Sequence, residues 1–244
     1  MTDASKRPYQ EVAAQLVERI AQDGFKPGDK FPTERQISKE MGIGRSLVRE
    51  AFIMLEIEGY LDVRKGSGSY VRDRQPGRSG LTGGDYGPFE LLQARQLLES
   101  SIAGFAATTV TKGDILSLRE TLELEKRSIE TGEDDYSADR QFHLQIAEAT
   151  QNSVLVNQID TLWHLRESSP MWDRLHSRIF DIGYRSQWLD DHAAVLEALR
   201  RRDAEGARQA MWQHLENVRL TLLDLSDVED PEFDGFLYSK TVSG

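Results

Sequence analysis

The stretch MGIGRSLVREAFIMLEIEGYLDVRKGSGSYV, Met41 to Val71, changes its hydrophobic period partway along, and that change limits the folds open to this chain. Val48, Ala51, Phe52 and Leu55 recur at i, i+3, i+4 and i+7, which predicts a helix from Arg45 with one apolar face. After Gly59 the segments YLDVR and SYVRD read as two short strands, and KGSG supplies the turn between them. Upstream, Val12, Leu16 and Ile20 mark a helix over Pro8 to Gly24, ended by the glycine- and proline-rich DGFKPGDKFP. A second helix starts at Thr33, where Thr33-Glu34-Arg35-Gln36 fits a capping box, and MGIG closes it.

Helix, helix, helix, hairpin is the order of a winged helix-turn-helix. The apolar stripe of the third helix directs Arg45 and Arg49 away from its core and toward a partner. The major groove of DNA admits one helix, and guanine offers two acceptors that an arginine fork can take together. Arg45, Ser46 and Arg49 are thus candidates for bases and phosphates, with Arg35 on the preceding helix bracing the backbone. Lys65 and Gly66 form the wing tip, one bringing charge and the other close backbone approach.

Charge supports a local contact only. The chain of 244 residues carries a formal charge of -11, yet residues 1–78 hold 14 Lys/Arg against 12 Asp/Glu. A general polyanion binder is excluded, and a basic face near the start is left. With no cysteine there is no disulfide or thiolate chemistry. No apolar run of about 18 residues and no signal pattern is present, so the protein is read as cytoplasmic and not membrane-bound.

The length favours two domains. We expect a mainly α protein: a winged helix-turn-helix domain over residues 1–74, a linker over 75–88, an all-helical domain over 89–226 and an acidic tail over 227–244. The linker QPGRSGLTGGDYGP has five glycines and two prolines in fourteen positions. Beyond it lie about six helices, broken near 110, 132, 151, 167–176 and 203.

The segment GDKFPTERQISKEMGIGRSLVREAFIMLEIEGYLDVRKGSGSYV resembles the DNA-binding domain of the GntR family of bacterial transcription regulators. It shares the Pro-Thr-Glu-Arg start, the Val-Arg-Glu-Ala core of the recognition helix and the Gly-x-Gly wing. The resemblance implies Arg35, Arg45, Arg49 and Gly66 as the main DNA contacts. It departs at Gly44, where such regulators more often carry Ser or Thr.

The second half places Asp139 and His143 at i, i+4. His192 heads a stripe with Val195, Leu196 and Leu199, and His214 lies on one with Ala207, Met211, Val218 and Leu222. One carboxylate and three imidazoles on inward-facing helices suit zinc, or nickel or manganese, with positions left for a ligand. Each could instead be a core histidine bonded to a neighbour, the role left to His164 and His176. The half also resembles the helical FCD effector domain, whose pattern of Asp-x-x-x-His, a His opening a later helix and a His in the last helix implies a metal at Asp139, His143, His192 and His214.

A pocket for an acid needs a guanidinium. Arg95 sits among Leu91, Leu92, Leu97 and Leu98, where an arginine is costly unless paired, and either Glu99 or an effector carboxylate can pair it. Trp163, Arg166 and Trp172 are candidates for the far side, against core packing for the tryptophans. Asn152 is an effector candidate or a helix cap. The segments YGPFELLQARQLLES and DDHAAVLEALRRRDAEGARQAMWQHLEN resemble the hexuronate-catabolism repressors of that family, which implies a sugar-acid effector. The expected protein is a homodimeric repressor on a palindromic DNA operator, with no catalytic residues. A metal-dependent hydrolase or isomerase, or a regulator that senses the metal or another carboxylic acid, stands as the alternative.

Overall fold

A computed structural model describes residues 7–64, 66–73, 85–133, 135–179 and 183–227. Lys65, most of the expected linker and the tail beyond Asp227 lie outside them. Three helices, α1 (Pro8–Gln22), α2 (Glu34–Met41) and α3 (Arg45–Ile57), lead into β1 (Leu61–Arg64) and β2 (Gly68–Val71). The helices α4 (Pro88–Thr109), α5 (Lys112–Thr131), α6 (Ser137–Glu148), α7 (Ser153–Glu167), α8 (Pro170–His176), α9 (Tyr184–Arg200) and α10 (Ala204–Leu225) follow. The chain divides into two compact units, and the first draws on three separated stretches: residues 1–89, 169–180 and 222–244.

In the first unit, Val12 and Leu16 of α1, Ile37 of α2 and Val48, Phe52 and Leu55 of α3 bury together with Phe31, Leu61 and Val71. Local chemistry places each helix. Thr33 accepts from the Gln36 backbone and Gln36 reaches back to Thr33, the expected capping box, and Gly42 ends α2 in the left-handed conformation at φ 66°. The strands pair antiparallel with Leu61 opposite Val71 and Val63 opposite Ser69, and Gly66 turns between them at φ 65°. This is the winged helix-turn-helix that the sequence predicts.

The first unit also takes in α8. The stretch RESSPMWDRL reads as irregular in sequence, but Ser169 caps a helix there by accepting from the Trp172 backbone, with Pro170 at its first position. Serine then proline is a helix start rather than a break, since the first turn has no use for the missing N–H. Trp172 therefore belongs to α8 in the first unit, whereas Trp163 and Arg166 belong to the second.

The second unit comprises residues 90–168 and 181–221. Helix α5 packs against α6 and α9, and α6 against α7. Its core holds Leu118, Phe142, Ile146, Ile159, Trp163, Val195, Leu199 and Met211, all 1% exposed or less. Thr111 and Asp114 form a second capping box and Gly132 ends α5. Gly104 lets α4 approach the start of α10 closely, because a Cβ there would meet the Ala204 carbonyl at 3.0 Å. The Gln96 amide donates to the Trp212 carbonyl at 3.1 Å and fastens the same two helices. Leu97 and Leu98, expected to surround Arg95, are exposed instead. Among the described residues no helix is long and apolar enough to cross a membrane.

Candidate functional site

Two clusters of charge carry the chemistry, one in each unit. In the first, Arg35 stands near the start of α2 and Arg45 opens α3, with side chains 52% and 34% exposed. Gly44 is the N-cap of α3 and makes no side-chain cap, so the departure at that position costs a backbone partner. Ser46 is half-buried beside Arg45 and Gly66 is exposed at the wing tip.

Arg49 differs from the sequence expectation. Its side chain is 0% exposed. It donates to the Glu34 carboxylate, to the Ser226 hydroxyl and, at 3.2 Å, to the Leu223 carbonyl. Helical periodicity places a side chain relative to its own helix and is blind to a segment arriving from 177 residues further on. The Asp227 carboxylate accepts from Arg35 at 3.0 Å and Arg45 at 2.7 Å, and lies 3.7 Å from Arg49. Arg174 of α8 and Arg178, just past its end, pair with Glu56 at the end of α3, and Arg178 also reaches Glu34 at 3.4 Å. Burial would raise the Glu56 carboxyl, but the two guanidiniums outweigh it and hold it below its ordinary value.

The second unit brings together the four residues expected to hold a metal. Asp139 and His143 of α6, His192 of α9 and His214 of α10 each aim one donor atom into a common space, all within 4.8 Å of one another and all buried. His192 Nε2 lies 3.1 Å from His214 Nε2 and 3.6 Å from an Asp139 oxygen, which is 3.3 Å from His143 Nε2. Ligand atoms about 2.1 Å from a metal stand about 3.0 Å apart when adjacent in an octahedron and about 3.4 Å in a tetrahedron, so the spacing fits either.

Sequence reading missed the carboxylates behind the rings. Glu99 of α4 contacts His143 Nδ1, Glu125 of α5 lies 2.9 Å from His192 Nδ1, and Asp191 of α9 lies 3.6 Å from His214 Nδ1. A carboxylate that accepts Nδ1–H leaves the Nε2 lone pair facing the other way. Three Nε2 atoms and one carboxylate oxygen thus face a single point, where a shared proton or a metal ion can join them. His143 Nε2 is buried without a hydrogen-bond partner among the described residues, as a metal donor would be. The residues fit the metal that the sequence implies.

Electrostatics around these rings pull in opposite directions. Burial lowers the affinity of His143 for a proton, but Glu99 and Asp139 outweigh it and raise its pKa to about 9. Burial and the neighbouring His192 push His214 down to about 3. Glu99, despite its burial, is held at about 2 by Arg95 and His143.

Arg95 is 3% exposed and pairs with Glu99 at 2.6 Å, the pairing expected along the helix. Its guanidinium also stacks 4.2 Å over Trp163, whose ring centre is 5.5 Å from that of His143. Arg166 lies over the same ring, 4.9 Å from the Trp163 centre, and 5.0 Å from that of Tyr136. Arg95, Trp163 and Arg166 thus adjoin the cluster. Asn152 does not join them: it is exposed and accepts from the Val154 backbone at 3.0 Å, which makes it the cap of α7.

The chain matches the FCD domain over residues 90–217 and the bacterial regulatory proteins of the gntR family over residues 8–71. It is 50% identical to the Uxu operon regulator of Haemophilus influenzae, covering 98% of this chain and 91% of that one. It is 48% identical to the Uxu operon transcriptional regulator of Escherichia coli, covering 96% and 94%. It is 46% identical to the Exu regulon transcriptional regulator of the same species, covering 96% and 91%. These relatives are transcriptional regulators rather than enzymes, which removes the hydrolase or isomerase alternative. The chain belongs to the GntR family of bacterial transcription regulators, in the branch that carries an FCD domain.

Proposed function

We propose that this protein represses genes of hexuronate catabolism and is released from DNA by a sugar acid bound at a divalent metal, zinc first among the candidates. The convergence of Asp139, His143, His192 and His214, each histidine backed by a carboxylate, carries the reading. The relatives named for the Uxu operon and Exu regulon support the choice of effector class.

Four protein donors leave a metal of higher coordination number open to oxygen ligands, and the ion would supply an electrophilic anchor for a carboxylate and an adjacent hydroxyl. This chain's own residues do the rest. Arg95 and Arg166 offer positive charge, and both are held against the Trp163 ring. The Trp163 Nε1–H is a buried donor with no acceptor among the described residues, a group that a bound hydroxyl would satisfy.

On DNA, Arg35, Arg45, Ser46 and Arg49 would meet the major groove and its phosphates, with Gly66 and Lys65 at the wing. One small domain offers too little surface for site-specific affinity. A homodimer on a palindrome, with half-sites about one helical turn apart, supplies the remainder.

The test is release of the metal-loaded protein from labelled DNA taken from upstream of its own gene. Galacturonate, glucuronate, fructuronate and tagaturonate are added in turn, with citrate as the control. Release by one uronate, absent in His143→Ala, supports the reading. Release by none of them, with metal shown to be bound, removes the hexuronate assignment.

A further inference from the structure

We propose that the DNA-recognition face has an occupant built into the chain. Ser226 and Asp227, just past the end of α10, close it in place of DNA, and operator binding requires their release. The inference rests on the reading of Arg35, Arg45 and Arg49 as DNA contacts.

The occupant uses the chemistry that a phosphate would use. Asp227 is 2% exposed, and one of its oxygens accepts from Arg35 Nη2 at 3.0 Å, Arg35 Nε at 3.2 Å and Arg45 Nη2 at 2.7 Å. Its other oxygen lies 3.7 Å from Arg49 Nη2, and Asp224 stands 4.0 Å from Arg45 Nη1. A guanidinium fork binds carboxylate and phosphate oxygens in the same geometry, so one anion excludes the other. The Ser226 hydroxyl and the Leu223 carbonyl occupy Arg49 from the same segment, and Arg49 has no surface left with which to reach a groove.

A second contact holds the face shut. Arg178 bridges Glu34 and Glu56, the first a partner of Arg49 and the second at the end of the recognition helix, and Arg174 joins it on Glu56. The helix is thus engaged from α8 and the turn after it as well as from the end of α10.

Such a clasp regulates by population. An acid tethered to the same chain acts at high effective concentration, and DNA affinity falls by the fraction of molecules that are open. A ligand that prefers the closed form lowers DNA affinity, whereas one that binds both forms equally changes nothing.

The experiment uses the full chain and a labelled duplex of about 40 base pairs and random sequence, long enough for two half-sites. Fluorescence anisotropy compares the natural protein with Asp227→Asn and Arg45→Ala. Hydrogen exchange of residues 222–227 is followed with and without the duplex. Asp227→Asn is expected to bind roughly threefold tighter or more, and the duplex is expected to speed exchange at residues 222–227 while slowing it in α3. Binding no tighter in Asp227→Asn, or exchange at 222–227 unchanged or slowed by the duplex, overturns the clasp. If Arg45→Ala binds as well as the natural protein, the DNA-contact reading falls and the clasp with it. Weakening in Arg45→Ala with no gain in Asp227→Asn removes the clasp alone.

Discussion

The recognition face of the first unit and the histidine cluster of the second both set buried carboxylates against basic side chains, but on opposite sides. In the cluster, Glu99, Glu125 and Asp191 stand behind the rings at Nδ1, which leaves the Nε2 faces converging on a point. On the recognition face, Asp227 and Glu34 sit on the guanidinium groups themselves. The first arrangement leaves its donor atoms facing a common space, and the second sets its carboxylates directly against the guanidinium groups. Where a carboxylate sits decides whether a cluster of bases binds something or must first let something go.

The largest expected effect breaks the recognition face. Arg49→Ala leaves the Glu34 carboxylate buried without one of its guanidiniums and is expected to cost about 3–5 kcal/mol, whereas the exposed Arg35→Ala costs about 1 kcal/mol or less. Chemical denaturation of both variants checks this, and equal costs would show Arg49 to be as replaceable as Arg35. The cluster offers the counterpart. Saturating zinc at about 100 times its dissociation constant should stabilise the natural protein by about 2.7 kcal/mol and leave His143→Ala unchanged. A similar rise in melting temperature for both would place the metal elsewhere.

The carboxylates behind the rings can be tested one at a time. Glu125→Gln keeps the shape of the His192 partner but removes its charge, and metal affinity is expected to fall about 10–100-fold, read by competition with a chelator. The pH dependence follows from His143. Its pKa in the folded, metal-free protein is raised from 6.5 to about 9, so below that value a metal must displace its proton. Affinity is expected to fall about tenfold for each pH unit lost between 8 and 7. The metal-free protein moves the other way: the raised pKa contributes stability that is full below 6.5 and is lost as pH rises through 9. Titration calorimetry at several pH values measures the first, and thermal melts of the metal-free protein measure the second. The smallest effect concerns Asn152, where replacement by Ala should cost about 1 kcal/mol as a lost cap and leave sugar-acid affinity unchanged.

Legibility in the sequence followed distance along the chain. The Thr33 capping box, the change of period at Gly59 and the pairing of Asp139 with His143 are local patterns, and each is found where it was read. What was not legible joins residues far apart. The Glu125 carboxylate meets a histidine 67 positions away, and nothing on its own helix marks it except a charge on a buried face. Arg49 carries no signal that Ser226 will cover it. Helix α8 was missed for another reason: serine and proline announce a break and a start alike, and only the Ser169 cap tells them apart. Arg95 takes the first of its two alternatives by pairing with Glu99, and it stacks on Trp163 beside the cluster.

The most direct measurement of the account is calorimetric titration of uronates into the metal-free and zinc-loaded protein, with His143→Ala in parallel. The account predicts that one uronate binds the zinc-loaded natural protein and neither of the other two forms. Equal binding with and without metal would contradict it, because the sugar acid would then owe nothing to the point on which Asp139, His143, His192 and His214 converge.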